Sequence, residues 1–172
     1  MKKTDVFFCY REAGAQTAKL FKRYLQRIDF PGEVWYSDLE NVGNYKADPV
    51  PLLGQATCAV MFIDKNFTEG FSNSDCVTAA EVLEIVKNKK ARPDKFTVIT
   101  IFLSREAGFS EEEAKTLESL LVKNQLSRED AQIVTKCNQV VFNTRKDDEQ
   151  ELFDKLKYEL LPNSFFQQKK RY

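Results

Sequence analysis

The chain has 172 residues, of which 42% are apolar, a size and composition suited to one domain with one buried core. Its 26 lysines and arginines balance 26 aspartates and glutamates, so no overall positive field draws it to nucleic acid or anionic lipid, and no nucleic-acid partner is expected. It contains no histidine, which excludes Ser-His-Asp and Cys-His catalysis and removes the commonest metal ligand, leaving carboxylates, cysteines, lysines, tyrosines or a cofactor to carry any chemistry.

Short β-rich runs alternate with longer helical patterns, which predicts parallel strands joined by crossover helices. The first strand is expected over residues 5–10 and the first helix over 15–27, where Ala18, Phe21, Leu25 and Ile28 form an apolar stripe opposite Lys19, Lys22, Arg23 and Gln26. A second strand follows at 33–36. Residues 37–54 hold Gly43, Pro49, Pro51 and Gly54 and read as a loop with at most one helical turn. The third strand (56–63) and the fourth (96–102) are apolar almost throughout, as strands covered on both faces are. Between them, Ser72, Asn73, Ser74 and Asp75 offer N-caps for a helix over 75–87 with a buried stripe of Ala79, Val82, Leu83 and Val86. A helix at 110–123 places Glu111, Glu112 and Glu113 at its positive end, a fifth strand falls at 139–142, and a last helix at 148–161 stops at Pro162. The predicted fold class is α/β: a flavodoxin-like open parallel sheet of five strands with helices on both faces, one domain over 1–162 with a tail at 163–172.

The longest apolar runs, 59–63 and 98–103, are far shorter than the roughly 20 residues that span a bilayer, so no membrane span is expected. Lys2 and Lys3 are followed by Asp5 rather than by an apolar stretch, so no secretory leader is expected and the protein reads as cytoplasmic. Cys9, Cys58, Cys76 and Cys137 have no ligand-like spacing; Cys9 and Cys58, within strand-like runs, read as small hydrophobes.

Open parallel sheets gather ligands outside the carboxyl ends of their strands. There the sequence places Tyr10, Arg11 and Glu12 with a turn-permitting Gly14, then Trp35, Tyr36 and Asp38, then Asp64, Lys65, Asn66 and Phe67, and beyond them a helix carrying Glu81 and Glu84. Each has a plainer structural reading. A helical glutamate is usually a solvated surface charge, Trp35 and Tyr36 alternate so that one of them faces core, Arg11 has Glu12 to pair with, and Asp38 suits a turn.

Asp-Val-Phe-Phe-Cys-Tyr-Arg at positions 5–11, with Gly14 beyond, resembles the first strand and loop of TIR domains, where an Asp-Val-Phe-Ile-Ser-Tyr-Arg type of motif is typical. Val34-Trp35-Tyr36-Ser37-Asp38 with Gly43 resembles their second strand and its long loop. Residues 59–63 followed by Asn66-Phe67 resemble the third strand and its exit, and Glu81-Val82 resembles the Glu-Leu or Glu-Ile pair of the next helix. The matches run in order over 4–103, with two departures: no tryptophan precedes Cys76 ahead of Glu81, and Cys9 stands where serine is common.

The resemblance implies cleavage of the nicotinamide–ribose bond of NAD⁺, by hydrolysis or by cyclisation of the ADP-ribose part, in immune or antiphage cell-death signalling, with NAD⁺ as substrate and no cofactor. It implies Glu81 as the catalytic carboxylate, with Glu84 as its rival three residues on. Tyr10, Trp35 and Phe67 would stack on nicotinamide or adenine, Arg11 would pair with the diphosphate, and Asp38 would contact a ribose or position the loop. The implied partners are further copies of the chain, through TIR–TIR contacts, and an activating effector or sensor protein. The alternative is a non-catalytic TIR adaptor that recruits other TIR domains through residues 38–51. A receiver or flavodoxin-type function fits less well, because no paired acids follow the first strand and no phosphate-binding loop is evident.

Overall fold

Five strands, β1 (Val6–Cys9), β2 (Val34–Tyr36), β3 (Cys58–Ile63), β4 (Thr97–Ser104) and β5 (Gln139–Asn143), pair in parallel in the order β2-β1-β3-β4-β5. The computed structural model describes residues 5–11, 14–36, 49–64, 67, 77–104, 109–124, 126–136, 139–143 and 149–160. Cys9 lies opposite Met61, so β3 continues for two residues, Phe62 and Ile63, past the end of β1.

The connections are α1 (Ala15–Arg27), α2 (Pro49–Gln55), α3 (Val77–Ala91), α4 (Phe109–Lys123), α5 (Arg128–Thr135) and α6 (Glu149–Leu160). Successive strand residues point to opposite faces, and here both faces are covered. Val6, Phe8, Cys58, Val60 and Phe62 pack under α1 and α6, whereas Phe7, Cys9, Ala59, Met61 and Ile63 share a core with residues of α2, α3, α4 and α5. Phe21 of α1 is the hinge pin of the first layer, stacked on Phe8 at 5.4 Å and on Phe153 of α6 at 4.8 Å between ring centroids. Among the described residues, no helix is long and apolar enough to cross a membrane.

Three expectations are corrected. Residues 49–55 form a helix of seven residues rather than a loop. Pro49 and Pro51 occupy its first turn, where backbone N–H groups have no helical partner, so proline is tolerated there. The helix after β3 runs to Ala91 rather than 87, with Lys89 and Lys90 at its negative end and Pro93 beyond. Its buried face is Glu81, Val82, Ile85 and Val86, whereas Leu83 is only half-buried and the side chain of Ala79 lies outside the described residues. Finally, α5 stands where the sequence reading places no helix, although Ser127 accepts a hydrogen bond from the Asp130 N–H at 3.1 Å as an N-cap and Glu129 and Asp130 suit the first turn.

Arg92 bolts α2 to α3. Its guanidinium donates to Ala56 O, Leu53 O and Asn88 Oδ1, each at 2.9 Å, and lies 4.9 Å from the centroid of the Phe96 ring. The two carbonyls lie at the end of α2, where helix geometry leaves acceptors unsatisfied. Arg92→Ala strands them, and we expect a loss of about 2–3 kcal/mol, read as a fall in Tm of roughly 5–10 °C by differential scanning calorimetry. Arg92→Lys keeps the charge but not the planar fork and should recover less than half of that loss.

On the other face, Tyr24 Oη donates to Asp154 Oδ1 at 2.6 Å, tying α1 to α6. This bond, with the nearby charge of Lys157, holds the Asp154 carboxyl below its ordinary value of 3.8. A depressed carboxyl stabilises the fold above its unfolded value and loses that contribution as pH falls through the folded one. Tyr24→Phe is expected to move the Asp154 titration upward, toward the ordinary value, in a side-chain carboxyl NMR titration; an unmoved midpoint would deny the bond its role.

Candidate functional site

The strand order reverses direction between β1 and β3, since β2 lies to one side of β1 and β3, β4 and β5 to the other. The helix after β1 covers one face and the helix before β4 covers the other, so the chain diverges at the carboxyl ends of these two strands. Cys9, Tyr10 and Arg11 leave β1 there, Asp64 leaves β3, and α3 packs against β1 and β4.

A tight turn follows β1. The Gly14 N–H donates to Arg11 O at 2.8 Å, and Gly14 caps α1. A Cβ at Gly14 would stand 3.3 Å from Phe62 Cβ and 3.5 Å from Tyr10 Cβ, so glycine is what lets α1 begin against β3.

Glu81, in the second turn of α3, is 3% exposed, and its Oε2 accepts a hydrogen bond from the Cys9 thiol at 3.2 Å. Among the described residues the buried polar side chains are Thr17, Glu81, Thr100 and Thr135, so Glu81 is the single ionisable acid or base of that set. Two of the threonines do ordinary structural work: Thr100 Oγ1 donates to Val134 O at 2.6 Å and Thr135 Oγ1 to Ala131 O at 3.3 Å. Removing a carboxylate from water costs several kcal/mol before its partners offset the loss. Glu84 differs: it is half-buried, and its O and Oε1 accept from Asn88 Nδ2 at 2.9 and 3.4 Å, a bond within its own helix.

The other expected site residues fall as follows. Arg11 is half-buried at the exit of β1, beside the turn. Trp35 sits in β2 opposite Phe7. Asp38 lies outside the described residues. Tyr10 is 3% exposed and packs with Phe8, Phe21 and Phe62, on the face of the sheet away from Glu81, because neighbours on an extended strand point oppositely. Phe67 is fully buried in the core that holds Cys9 and Val82, with its N–H donating to Asp64 Oδ1 at 2.8 Å. Both rings thus lie within the core clusters that flank the sheet, Tyr10 on one face and Phe67 on the other.

Cys9 is the residue that sequence reasoning missed, having been read as a small hydrophobe. Its one signal was its position, where serine, another side-chain donor, is common in the similar motif. Two surface grooves, one lined by Arg23, Arg27, Glu149 and Phe153 and the other by Lys22, Asp29, Phe30 and Glu33, lie on the α1 side, and Glu81 lines neither.

No protein-family model matches the sequence, and no curated protein matches it. Solved structures do. The TIR domains in the structure of the activated Roq1 resistosome directly recognizing the pathogen effector XopQ align with 92% of this chain and 100% of theirs, at a TM-score of 0.54 and 18% identity. At that identity the likeness is one of fold.

Proposed function

We propose, from the TIR-like fold of this chain, that it cleaves the nicotinamide–ribose bond of NAD⁺ and does so in immune or antiphage cell-death signalling. The observation that carries this reading is the burial of the Glu81 carboxylate, held by Cys9, at the carboxyl end of β1. Buried, partnered carboxylates concentrate at sites of chemistry.

The reaction suits a site without histidine or metal. Nicotinamide in NAD⁺ is a cationic leaving group; when the C1′–N bond breaks, its electron pair neutralises the ring nitrogen and leaves positive charge on the ribose. Glu81 stabilises that charge and accepts hydrogen bonds from the ribose hydroxyls, as carboxylates do in glycoside hydrolysis. A nucleophile then adds to C1′ and loses its proton: water gives linear ADP-ribose, and a nucleophilic atom within the same ADP-ribose gives a cyclic isomer. Arg11, half-buried at the β1 exit, is the proposed partner of the diphosphate, Asp38 the proposed ribose contact, and Tyr10, Trp35 and Phe67 the proposed ring contacts.

Self-association belongs to the same reading. The Roq1 neighbour is described as an activated resistosome that recognises a pathogen effector, and by analogy this chain works in the cytoplasm as an assembly triggered by an effector or sensor protein.

Chromatography of NAD⁺ incubated with concentrated protein tests the proposal. Nicotinamide should appear at a rate that rises more steeply than protein concentration, and Glu84→Ala should keep turnover within a few-fold of the parent. Absence of nicotinamide from protein shown to be assembled would replace this reading with that of a TIR scaffold. Loss of turnover in Glu84→Ala but not in Glu81→Ala would move the site to Glu84.

A further inference from the structure

We propose that Cys9 is a positioning residue for Glu81: its thiol anchors the carboxylate in the orientation from which it meets the ribose. This role presupposes the reading of Glu81 as the carboxylate of NAD⁺ cleavage.

Cys9 is fully buried and Glu81 nearly so, and the sulfur stands 3.2 Å from Oε2, a close approach for this weak donor. With both groups shielded from solvent, little water competes for the bond. The two ends differ in rigidity. Cys9 closes a strand held between two others, with Phe8 opposite Tyr36 and Val60, and Cys9 itself opposite Met61. Glu81 has three rotatable side-chain bonds, and ordering them costs entropy that a fixed donor removes in advance. A β-branched or aliphatic residue at position 9 would fill the same space among Phe7, Met61 and Ile63 but would supply no donor. Cys58 provides an internal comparison: it is equally buried, at the start of β3, in the core of the opposite face.

Steady-state NAD⁺ turnover by Cys9→Ala, Cys9→Ser and Cys58→Ala, together with the infrared S–H stretching band, decides the matter. Cys9→Ala is expected to lower kcat roughly three- to tenfold with KM for NAD⁺ unchanged. Cys9→Ser, which restores a donor, should return kcat to within about twofold of the parent, and Cys58→Ala should leave both constants as they were. The Cys9 band, identified by subtraction of the Cys9→Ser spectrum, should move to higher wavenumber in Glu81→Gln because an amide oxygen is a weaker acceptor. Wild-type turnover with an unchanged kcat in Cys9→Ala, or an equal loss in Cys9→Ala and Cys9→Ser, or a band that Glu81→Gln does not move, overturns the role of Cys9 alone. A wild-type assembly that never releases nicotinamide overturns the enzymatic reading, and the place of Cys9 in it, even where the band moves as expected.

Discussion

Glu81→Gln should reduce nicotinamide release at least about 100-fold, the order of loss seen when a group that stabilises transition-state charge is neutralised. The substitution preserves volume, and its amide oxygen still accepts from the Cys9 thiol, so circular dichroism should show an unchanged fold. Thermal stability should hold or rise, because a neutral amide is less costly to bury than a carboxylate. Activity and stability moving in opposite directions is the signature of a residue kept for chemistry rather than for packing. Turnover within a few-fold of the parent in Glu81→Gln would remove Glu81 from the mechanism.

Phe21→Ala should cost about 3–5 kcal/mol, the range for truncating a fully buried aromatic ring. Phe21 has no exposed surface and meets Phe8, Tyr24, Phe62 and Phe153, so its loss opens a hole where β1, β3, α1 and α6 converge. Urea unfolding followed by fluorescence should show the midpoint falling sharply, and the Tm should drop by roughly 10–15 °C. Val122→Ala, at an exposed position of α4, provides the contrast and should stay within about 0.5 kcal/mol of the parent. A loss at Phe21 no larger than at Val122 would mean that the aromatic stack is not the structural centre of that layer.

Local signals carried much of the architecture. The continuous apolar runs of β3 and β4 marked strands with both faces covered, and the spacing of Ala18, Phe21 and Leu25 placed α1 at Ala15–Arg27. The misjudged elements were those whose stability comes from distant partners. In α2, two prolines and a glycine in seven residues argue against a helix, yet Arg92, 36 positions beyond Ala56, satisfies its final carbonyls. In α3 the expected Val82 and Val86 are buried, but packing on β1 and β4 turned Glu81 and Ile85 inward and left Leu83 half-buried. Tyr10 and Phe67 illustrate the same point: both follow a strand, and the pleat and the core decide which face of the sheet each ring joins.

By itself the sequence determined the five-stranded parallel plan and the absence of histidine chemistry, because composition and hydrophobic period act through neighbours along the chain, while Glu81 as candidate came from the resemblance of its motifs to those of TIR domains. Tertiary structure alone gave Glu81 and Glu84 different burial and joined Glu81 to Cys9, 72 residues earlier. Burial is a property of the packed molecule: two glutamates three positions apart share a helix face in sequence, and only the sheet beneath them determines which loses contact with water.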